Sequence, residues 1–166
     1  MSCSITREVS LLNKNIDYPD MVQLNYIHSI FKNSRVYLRA DIKKAEFFFK
    51  KRTIECDQFA GVINDIHSKI ITEVYADHAS IDEKRKTVLM SGNVKFKSYK
   101  EKTTVYCQEM KFDYNLEKLT IDKEVLIEKE DGSYLKATSM ESELKSQTTT
   151  FTGMDMMYFY KDDDEK

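Results

Sequence analysis

The chain has 166 residues, enough for one domain with a real core, and is nearly neutral: 26 Lys and Arg against 28 Asp and Glu, net -2. That balance leaves no basic face for nucleic acid, and 33% charged residues beside 41% hydrophobic ones describe a well-solvated protein with a modest interior. No apolar run is long enough to cross a bilayer and no signal-peptide core is visible.

Residues 1–20 carry no clear period and read as a flexible lead. Cys3 stands near the front in Met1-Ser2-Cys3-Ser4. It reads either as an incidental thiol of a cytosolic protein or as the acylated cysteine of a lipoprotein whose export segment is replaced by Met-Ser. Cys56 and Cys107 read as small half-buried thiols, because three cysteines at these spacings make neither a disulfide framework nor a zinc pattern.

From residue 21 to residue 160 the chain is built of recurring units. Four small residues mark them: Ala40, Ala76, Cys107 and Ala137. An apolar residue lies two positions before each (Leu38, Val74, Val105, Leu135), and an acid six positions after (Glu46, Asp82, Asp113, Glu143). Further on, Gly92 and Gly153 coincide, with Cys56 and Lys123 in the other copies.

Each unit of about 30 residues reads as two strands joined by a turn. In the second copy Val88, Met90, Val94 and Phe96 share one parity, with Lys95 and Lys97 on the other. In the third, Met110 and Phe112 alternate with Lys111 and Asp113. Asn115 to Lys118 make a turn there, and Leu119, Ile121, Val125 and Ile127 follow on one parity. Asp131-Gly132 is a hairpin signal between the third and fourth copies. With one Pro and four Gly, the remaining turns fall to Asn, Asp, Lys and Glu. The apolar phase slips just after each small residue, and a bulge there would restore the facing. Helix is a poor competitor, since the apolar residues do not recur at three and four. Met154 to Tyr160 forms an unusually apolar last strand, and 161–166 is a short charged tail.

Such units build an antiparallel meander with one apolar face, and two such faces must cover each other. The expected class is all-β: an open two-sheet sandwich of hairpin repeats. Its interior is rich in Met, which lines irregular or adaptable cavities well. A slot for hydrocarbon is therefore expected at Ile81, Val88, Met90, Val94, Phe96, Met110, Phe112, Leu119, Ile121 and Phe151. The final strand, through Met156, Met157, Tyr158 and Phe159, is an edge suited to pairing with a partner strand. No catalytic chemistry is expected: His28, His67 and His78 are far apart, and no phosphate-cradling or nucleophile motif occurs. His67, His78 and Asp77 come nearest to a metal-ligand set, and neither metal nor cofactor is expected.

Tyr75-Ala76-Asp77-His78-Ala79 through Lys86-Thr87-Val88-Leu89-Met90-Ser91-Gly92-Asn93-Val94 resembles the central signature of the LptC family of lipopolysaccharide-export proteins. Phe31 to Ala40 resembles its first hairpin, and Glu130 to Ala137 with Phe151-Thr152-Gly153 its last repeats. The related LptA and LptD amino-terminal domains share these motifs, and the order of elements favours LptC. The resemblance implies a twisted antiparallel β-jelly roll in the periplasm, tethered to the inner membrane. It also implies a cargo, lipopolysaccharide or a related glycolipid, taken from an inner-membrane ABC transporter and passed to an LptA-like protein. Gly92 maps onto a family motif position. The family's N-terminal membrane span has no counterpart in this sequence, and a lipid on Cys3 would fill that gap. The competing expectation is a structural repeat module with a dry core that binds protein partners through its edges.

Overall fold

The computed structural model describes residues 17–146 and 148–157. They form twelve antiparallel strands and no helix. Six are long: β1 (Met21–Lys32), β2 (Arg35–Phe48), β3 (Thr53–Asn64), β4 (Ile70–Asp82), β5 (Thr87–Ser98) and β6 (Thr103–Asp113). Six are short: β7 (Lys118–Ile121), β8 (Val125–Lys129), β9 (Tyr134–Ala137), β10 (Ser139–Glu143), β11 (Thr148–Thr152) and β12 (Asp155–Met157). The six long strands follow one another as a meander. After β6 the sheet forks, because one half of β6 pairs with β8 and the other with β7. One branch continues β8-β9-β12 and the other β7-β10-β11.

The fork follows from a line of kinks crossing every long strand. In β2 the buried residues run Leu38, Ala40, Ile42 and then switch phase to Ala45 and Phe47. The same switch falls between Cys56 and Phe59, between Ala76 and Ala79, and between Cys107 and Met110. Ladder register shifts where β4 meets β5, between Tyr75 and His78, and where β5 meets β6, between Ser91 and Val94. Asn25, Gln58, Gly92 and Asn93 on this line have positive φ. The kinks thus turn one sheet into two facing layers. The first layer holds β1 after Asn25, β2 before Lys43, β3 after Gln58, β4 before Asp77, β5 after Asn93 and β6 before Gln108, with β8, β9 and β12. The second layer holds the other halves with β7, β10 and β11. In the last repeats each kink is a full break: at 122–124, at Thr138 and at 153–154.

The phase slip expected beside the small residues is where the kinks lie. The first unit is displaced, however. Its last inward residue before the kink is Ile42, not Ala40, so the true column is Ile42, Ala76, Cys107 and Ala137. With that shift Ile54, Val88 and Leu119 occupy one buried column, and Gln58, Gly92 and Gly153 one positive-φ column. An inward position beside a kink tolerates Ile as well as Ala, so side-chain size misplaced the anchor. The displaced register also explains the acids. Asp82 and Asp113 each accept two backbone N–H groups of the following turn, from Lys84 and Arg85 and from Asn115 and Leu116. Glu46 lies within β2 and pairs instead with Lys44 at 2.5 Å. The turns ending in Arg52, Lys86 and Glu117 close with positive φ at a non-Gly residue, which is how a chain with so few glycines makes them.

The core lies between the layers. Phe59, Ile42, Ile81, Met110, Leu119 and Ile121 are among its largest fully buried side chains. Every buried side-chain N or O atom among the described residues has a partner. Tyr26 of the first layer meets Phe47 of the second edge-on at 5.2 Å, joining the layers near β1.

Candidate functional site

Where the kinks become breaks, the layers part. An apolar chamber of about 350 Å³ opens between them. Phe96, Val105, Ile127, Leu135 and Met156 line it from the first layer, and Leu119, Met140, Leu144 and Phe151 from the second. Its outer wall carries Ser98, Glu101, Ser142 and Thr149, which also line a larger, more polar mouth of about 1020 Å³. Tyr37, Ile63, Ile71 and Thr72 form the inner part of that mouth, with Lys32, Arg35, Lys100, Asp65, Glu117 and Glu143 around it. Chamber and mouth therefore share a boundary and read as one passage, greasy inside and wet outside. An amphiphile fits such a passage, its chain removed from water at about 0.8 kcal/mol per CH₂.

All ten residues expected to face hydrocarbon point inward and join one apolar cluster, nine of them buried and Phe151 half-buried. Phe96, Leu119 and Phe151 line the chamber itself. Ile81, Val88, Met90, Val94, Met110, Phe112 and Ile121 pack in the dense core instead. Val105, Ile127, Leu135 and Met140 line the chamber without having been singled out for it. The signal for two of them was present, since Val105 and Leu135 stand two positions before an anchor.

Gly92 sits at a kink with φ +74°, and a Cβ there would lie 2.9 Å from the Asp77 side chain. Asp77 accepts a hydrogen bond from the Asn93 amide at 2.7 Å. Gly153 repeats the arrangement, at φ +59° with a Cβ position 2.6 Å from Thr138 Oγ1. Gln58 has positive φ in the same column, so conformation alone does not require glycine; the close side chain opposite does.

Met156 and Met157 are exposed on β12, which pairs with β9 at the margin of the first layer. Tyr158, Phe159 and Cys3 lie outside the described residues. At the opposite margin β1 pairs with β2 and exposes Val22, Leu24, Ile27 and Phe31.

Chemically reactive groups do not converge. Burial pushes the Cys56 thiol up to about 12, helped by Glu55 and Asp57, and the Cys107 thiol up to about 11, so both stay protonated. His78 bonds Asp57 on the surface at 2.8 Å, Asp77 is held by Asn93, and His67 lies in the β3–β4 turn. Among the described residues no group of three or more His, Cys, Asp or Glu could hold a metal, and no helix is long and apolar enough to cross a membrane.

Comparison with known proteins agrees with this architecture. The chain matches solved structures that include LptH from Pseudomonas aeruginosa, described as the LptA-homologous periplasmic component of its lipopolysaccharide transport device. That match has a TM-score of 0.60 at 10% identity and covers 74% of this chain and 95% of the other; at such identity it speaks for the fold, an LptA-like β-jelly roll. No curated protein matches the chain. The family described as "Lipopolysaccharide-assembly, LptC-related" matches residues 62–160, from the end of β3 past the three breaks and β12. With that match over more than half its length, the chain belongs to the LptC-related lipopolysaccharide-assembly family, and it is not an enzyme.

Proposed function

We propose that this protein is a periplasmic component of a lipopolysaccharide transport bridge. It receives lipopolysaccharide or a related glycolipid from an inner-membrane ABC transporter and passes it to an LptA-like β-jelly-roll partner. The observation that carries this reading is the apolar chamber between the two layers, continuous with a polar mouth. Acyl chains lodge inward against Phe96, Leu119, Leu135, Met140 and Phe151. The saccharide remains toward the mouth and water. The other inward residues, from Ile81 to Ile121, form the wall that the chains reach when the layers part further. The margin at β12, with Met156, Met157, Tyr158 and Phe159, pairs with the next protein by strand addition.

In this reading residues 21–160 are the transport domain, 1–20 the tether and 161–166 a solvated tail. Cys3 carries the lipid that holds the tether to the inner membrane, and mass spectrometry of the mature protein tests this through its acyl mass.

The cargo is tested by site-specific photo-crosslinking in cells. Probes at Phe151, Leu119, Leu135 and Phe96 should capture glycolipid, while a probe at Met157 should capture protein. Protein adducts at the margins with no lipid from any chamber position would favour a purely structural interaction module.

A further inference from the structure

The mouth of the passage is crossed by one long-range ion pair. Lys32 ends β1 in the first layer, Glu117 closes the β6–β7 turn in the second, and their side chains are bonded although 85 residues apart. The two ends are held differently. Glu117 is firmly placed: its carbonyl accepts the Leu144 N–H at 2.9 Å, and Asp113 caps the turn that leads to it. Its side chain is only 19% exposed. Lys32 belongs to the marginal β1–β2 hairpin, closed by Asn33 and Ser34, both at positive φ as a two-residue hairpin turn requires. Its ammonium also stands 5.4 Å from the Tyr37 ring centroid, at the lip of the mouth. A marginal hairpin is thereby fastened to a rigid turn across the opening.

We propose that Lys32 and Glu117 form a clasp that holds the mouth closed, and that its release lets the β1–β2 hairpin lift so that an amphiphile can pass. The gating role rests on the transport reading above; the clasp itself does not. An exposed ion pair of this kind biases an opening equilibrium by about two- to fivefold and weakens in salt. That strength favours the closed passage and still yields readily to cargo.

The test uses the full chain with Cys3→Ser. Ile63→Cys places a reporter thiol on the mouth wall at a 2%-exposed position, and native Cys56 and Cys107 serve as buried references. Maleimide labelling of the reporter reads opening of the mouth, and labelling of the references reads wider unfolding. Glu117→Lys should speed reporter labelling about two- to fivefold with the references unchanged, and adding Lys32→Glu should restore the original rate. An unchanged rate in the single variant overturns the clasp. So does acceleration of all three thiols together without rescue. Photo-capture of glycolipid from Phe151 should rise in Glu117→Lys, and an unaltered yield overturns the gating role. If no background captures lipid while the labelling behaves as expected, the transport reading fails and the clasp stands.

Discussion

The six long strands and the six short ones treat the same kink in opposite ways. In β2 to β6 the chain stays continuous through it, with a positive-φ residue in β3 and register shifts between β4 and β5 and between β5 and β6, and along the kink line the layers meet on small side chains such as Ala76, Ala79 and Cys107. From β7 onward the strand stops and restarts, and Leu135, Met140 and Phe151 of these short strands, with Phe96 of β5, line the apolar chamber between the layers. A kink bridged by continuous backbone makes a clamp; a kink resolved as a break makes room. One repeat thus supplies both the rigid part of the molecule and the part that can hold a guest.

The contrast can be broken at its glycines. Gly92→Ala places a Cβ against Asp77 in the continuous half and should cost about 2 kcal/mol or more, read as a lower urea midpoint. Gly153→Ala meets Thr138 at the margin of the broken half and should cost less. There Thr138→Ala should restore much of the loss by removing the obstructing methyl and hydroxyl. Equal losses in the two halves would mean that the break does not relax its surroundings.

The methionines test the same contrast inside the core. Met110 is fully buried in the clamped region, and Met110→Ala should cost about 2–5 kcal/mol. Met140 borders the chamber, so part of its surface already lacks partner atoms, and Met140→Ala should cost about half as much in the same denaturation experiment. Similar costs would mean that the chamber is closed in solution.

The smallest effect concerns the layer contact near β1. His28 accepts or donates a hydrogen bond with the Tyr26 hydroxyl at 3.0 Å. Burial holds its pKa below the ordinary histidine value, against an opposing pull from Glu83. Because the folded pKa is the lower one, the unfolded chain takes up the proton first as pH falls through about 6.5, and stability drops there. His28→Gln should narrow the difference in Tm between pH 7.5 and pH 5.5 by a degree or two, and an unchanged difference would remove His28 from the layer contact.

Much of this architecture is legible in the chain because the repeat is written in alternating residues. The hairpin at Asp131-Gly132, the turn after Asp113 and the phase slip beside Ala76 and Cys107 all follow from local chemistry. The first unit misled because Ala40 and Ile42 both face inward, and the smaller one drew the alignment. The site was less legible for a related reason. Inward parity marks Met90 and Leu119 alike, yet only the second borders empty space. Whether two inward residues touch or part depends on whether a neighbouring strand runs through its kink, and Thr138 and the 122–124 segment carry no strong breaker to announce it. The clasp was invisible for want of any local trace, since Lys32 and Glu117 are ordinary hairpin residues until the layers meet.

The alignment of the kinks into a single row has a consequence for size. Each unit contributes two strands to a stack, and neighbouring strands lie about 4.8 Å apart, so one more copy would lengthen the molecule by about 10 Å and leave the existing copies as they are. The protein's reach is therefore a counted quantity, set by how many times the hairpin has been duplicated, and a span needed between two fixed surfaces could be met by adding or removing whole copies.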